Sequence, residues 1–73
     1  MGFRVDKALE AIGLEQQALI LKAIENIRAY DDAVGIGEHP DLAEAIEAQV
    51  KIIADARDVL SAVEYIKEER SEA

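Results

Sequence analysis

The chain has 73 residues, 51% hydrophobic and 33% charged, with sixteen Asp and Glu against eight Lys and Arg, one His and no Cys. So short a chain buries only about 60% of the surface it exposes when unfolded, and such scaffolds lean on disulfides, a structural metal or oligomerisation. The lack of cysteine excludes disulfides and thiolate metal sites, and a net charge of −8 opposes sequence-independent binding to nucleic acid or anionic lipid.

Oligomerisation remains, and a homodimer is the first expectation. The composition is too apolar for disorder, and its richness in Ala, Glu, Ile and Leu is that of long helices. No segment reaches the 18 apolar residues of a membrane span, and the N-terminus lacks the apolar core and cleavage site of a secretory leader. The expected location is cytoplasmic, with no membrane association.

The first helix is expected over about 5–34. Asp6 can cap its first turn, and Val5, Leu9 and Ile12 follow the spacing of one helical face. Gly13 interrupts, because glycine inside a helix costs roughly 1 kcal/mol against alanine. The alternative is therefore a short N-terminal helix followed by two long ones. The pattern resumes at Leu14 and continues through Ala18-Leu19-Ile20-Leu21, Ala23, Ile24, Ile27 and Tyr30. Successive helical residues point about 100° apart, so Leu19, Ile20 and Leu21 together cover most of the circumference. One neighbouring helix cannot cover all three.

Gly35 to Asp41 holds two of the four glycines, the only proline and the only histidine, and reads as the turn, residues 35–41. Gly35 can close the last turn of the first helix, with Ile36 folding back on Tyr30. Pro40 suits a first helical position, and Asp41 with Glu44 reads as a capping box. The second helix, about 41–70, carries a broad apolar face: Leu42, Ala45, Ile46, Gln49, Ile52, Ile53, Ala56, Val59, Leu60, Val63 and Ile66. Glu44, Glu47, Lys51, Asp55 and Asp58 lie opposite, with Glu47 and Lys51 spaced for an ion pair. Lys67 and Arg70 fall near the C-terminus, where the helix dipole favours cations.

The expected fold is all-α, a single domain over 1–73. It is an antiparallel helical hairpin that dimerises into a four-helix bundle, with Ala45 and Ala56 allowing close approach and Gln16 or Gln17 and Gln49 interrupting the core. Chemistry has little to draw on. The paired acids Glu44-x-x-Glu47 and Asp55-x-x-Asp58 share one helix and cannot face each other across a site. Ser61 and Ser71 have no histidine near in sequence, and Gly35-Ile36-Gly37 is not a phosphate loop. No Glu-x-x-His signature of a di-iron bundle occurs. The expectation is no enzyme activity, no cofactor and no metal.

Function is expected to lie in protein contacts: a small acidic regulator or inhibitor, of a kind common in phages and mobile elements, acting through helix surfaces. Candidate contact residues are the surplus apolar ones, Leu14, Leu19, Leu21, Ile36 and Tyr65, together with Asp31, Asp32, Glu38 and Asp41 at the acidic turn. The alternatives are an acidic nucleic-acid mimic that occupies a DNA-binding protein, and a metal-binding bundle around His39.

Overall fold

The computed structural model describes residues 2–33 and 41–72. Two helices account for them, α1 (Gly2–Ala33) and α2 (Leu42–Glu72), and no strand occurs among the described residues. The fold is all-α. Arg70 Nε donates to Asp6 Oδ1 at 3.1 Å near one end, and Asn26 Nδ2 donates to Gln49 Oε1 at 3.1 Å toward the other. The helices therefore run antiparallel, as a slender hairpin with principal extents of 56 × 14 × 12 Å. The turn residues Gly35 to Pro40, with Ile36, Glu38 and His39 among them, lie outside the described residues.

α1 is unbroken at Gly13, so the alternative with a separate N-terminal helix does not hold. Gly13 sits half-buried on the seam, where a Cβ would lie 3.9 Å from Leu60 Cδ2. Packing along the whole length of α2 outweighs one residue's poor propensity. α1 also starts at Gly2, ahead of the expected Val5, so Asp6 lies inside the helix rather than capping it. Its carboxylate instead meets Arg70 on the opposing helix. Asp41 does precede α2, and its carbonyl accepts the Ala45 N–H at 2.9 Å, the position of a helix cap.

The seam follows a strict alternation of three and four residues. In α1 it is Leu9, Gly13, Gln16, Ile20, Ala23, Ile27 and Tyr30; in α2 it is Leu42, Ile46, Gln49, Ile53, Ala56, Leu60 and Val63, all buried or half-buried. These are the a and d positions of a seven-residue repeat, the pattern of a left-handed coiled coil. Ala23 and Ala56 are the most enclosed of the described residues, 2% and 1% exposed. Ala56 thus lets α2 approach α1 within the hairpin, rather than serving an approach between hairpins. Gln16 belongs to the seam and Gln17 is exposed. The expected Glu47–Lys51 pair does not form among the described residues, whereas Lys67 meets Glu64 at 3.8 Å. An exposed pair of either spacing contributes only a few tenths of a kcal/mol, so the fold does not depend on which one forms.

Gly13→Ala should stabilise the fold by about 0.4–1 kcal/mol, since the added methyl meets only ordinary contact and the unfolded chain loses freedom. Thermal unfolding followed by far-UV circular dichroism should show a melting temperature raised by about 2–8 °C; a fall would show that the seam has no room there. Ala56→Leu is the converse case. Overpacking at this position should destabilise by about 1–3 kcal/mol, read as a lower urea midpoint.

Candidate protein-interaction surfaces

Once a and d are assigned, the remaining apolar residues sort by position. Val5, Ile12 and Leu19 of α1, and Ile52, Val59 and Ile66 of α2, all occupy g. Asn26 and Ala45 complete the two g rows, and both are half-buried. In an antiparallel pair the g positions of both helices lie on the same side of the seam. The structure shows this directly, because a groove of about 210 Å³ is lined jointly by Leu19, Lys22, Ala23, Asn26, Gln49 and Ile52. One flank of the hairpin is therefore a continuous apolar strip, and its six large residues are each between 37% and 42% exposed.

The other flank differs. Its e positions are Glu10, Gln17, Ile24 and Asp31 in α1, and Ala43, Val50, Arg57 and Glu64 in α2. Leu14 and Leu21 stand beyond this flank on the outer side of α1, 60% and 64% exposed, and Tyr65 stands on the outer side of α2 at 64%. Tyr65 borders a shallow groove with Arg57, Leu60, Ser61, Glu64 and Glu68.

The expected contact residues thus fall into separate places. Leu19 lies on the apolar flank; Leu14 and Leu21 lie on the far side of α1; Tyr65 is on the outside of α2. Asp31, Asp32 and Asp41 are exposed at the turn end, while Ile36 and Glu38 lie outside the described residues. The structure does not gather them into one surface. Sequence reasoning missed Asn26, which gives the half-buried Gln49 its partner. The signal was available: residues 26 and 49 are equally distant from the middle of the turn, so folding the chain there brings them level.

Charge is unevenly placed along the hairpin. Residues 25–48, which include the turn, carry seven acidic side chains and one basic, Arg28; the rest of the chain carries nine acidic and seven basic. Near the open end Arg4, Lys7, Lys67 and Arg70 are interspersed with Asp6, Glu10, Glu64, Glu68, Glu69 and Glu72. No group of three or more His, Cys, Asp or Glu among the described residues is placed to hold a metal ion. Ser71 Oγ donates to the Glu68 carbonyl at 3.1 Å, a local bond near the end of α2. No helix among the described residues is long and apolar enough to cross a membrane.

The exposed area puts a scale on the surplus. The chain exposes 5965 Å², whereas a compact monomer of this size exposes about 4,450 Å². The excess, about 1,500 Å² per chain, is that of a rod 56 Å long and 14 × 12 Å across over a compact body. Comparison with protein-family models, curated proteins and solved structures finds no match in any of the three.

The Asn26–Gln49 bond can be measured by a double-mutant cycle with Asn26→Ala and Gln49→Ala. A coupling of about 0.5–1.5 kcal/mol is expected for a part-buried bond between neutral groups. Additive single effects would show that the two amides contribute only through their separate packing.

Proposed function

We propose that this chain is a non-enzymatic protein-interaction module, a homodimeric four-helix bundle that regulates or inhibits a protein partner through its outer helix surfaces. The observation that carries this reading is the apolar surface left outside the seam. Leu14, Leu21 and Tyr65 are each at least 60% exposed, far more than helix packing requires. Leu14 and Leu21 fall seven residues apart on one face of α1 and offer a short apolar contact strip, with Tyr65 standing apart on α2. In a dimer the apolar g flank, which the hairpin alone leaves open, would give the bundle its inner face. The acidic turn half suits a basic partner.

A second reading, an acidic nucleic-acid mimic, is favoured by one observation: the concentration of seven acidic side chains against Arg28 within residues 25–48. The two readings divide on salt dependence. A partner held by the apolar outer face should stay bound as ionic strength rises, while one held by the acidic half should be released and should compete with DNA.

Affinity capture from a source lysate should retain one stoichiometric protein with the native chain. Leu21→Glu should release it, and Lys51→Glu on the outside of α2 should not. Recovery of the same protein with both variants would remove the outer face of α1 from the proposal. Failure to recover any protein reproducibly would count against an interaction module altogether.

A further inference from the structure

We draw no further inference here: the strongest candidate, the apolar flank of Val5, Ile12, Leu19, Ile52, Val59 and Ile66 beside the seam, is an unpartnered helix face, and nothing in the structure shows what covers it.

Discussion

The narrowness of the seam governs the rest of the structure. Two helices that meet along a and d can cover only the residues on that strip, and here the strip includes Gly13, Ala23 and Ala56. Small side chains bring the helices together, but they leave little apolar volume between them. Only Leu9, Ala23, Ala56 and Val63 are buried among the described hydrophobic residues. A hairpin of two such helices cannot also enclose the g rows, however the flanking side chains arrange themselves. The surplus is a consequence of geometry rather than an excess of any one residue type.

Polar contacts then set the register of the two helices. Asp6 with Arg70 and Asn26 with Gln49 fall at matched distances from the turn. A shift by one residue would rotate the a and d rows off the seam and separate both pairs. The Asp6–Arg70 pair is substantially exposed on the carboxylate side and contributes little by itself. Its value lies in position, at the end of the hairpin farthest from the turn, where chain connectivity constrains the helices least. The Asn26–Gln49 bond sits at the edge of the apolar groove. It satisfies the Asn26 amide donor and the Gln49 carbonyl acceptor at the edge of the flank.

Much of this was legible from periodicity. The face read for α2, from Leu42 to Ile66, is the union of its seam and its apolar flank, because a, d and g follow one another around the helix. In α1 the run Leu19-Ile20-Leu21 implied more than one neighbour, and the structure separates the three: Ile20 on the seam, Leu19 on the apolar flank, Leu21 outside. What periodicity could not do was tell seam from flank, since both are apolar at helical spacing. It also misjudged Gly13 and the start of α1. Local propensity is a weak term beside an opposing helix that packs along the whole length, and α1 runs through Asp6 from Gly2. The Glu47–Lys51 pair does not form among the described residues, and an exposed pair contributes too little for the fold to depend on it.

The amino-acid sequence by itself determined that the chain forms two long helices joined near Gly35 to Pro40, and that together they carry more apolar surface than a single pair can hide. Those are properties of composition and spacing, which act within each helix. Tertiary structure alone decided which apolar row faces the partner helix and which is left on the flank, and it brought Asn26 to Gln49 and Asp6 to Arg70. The physical reason is that the phase of one helix against another depends on packing between residues far apart in the chain. Small side chains at Gly13, Ala23 and Ala56 settled that phase by allowing the closest approach.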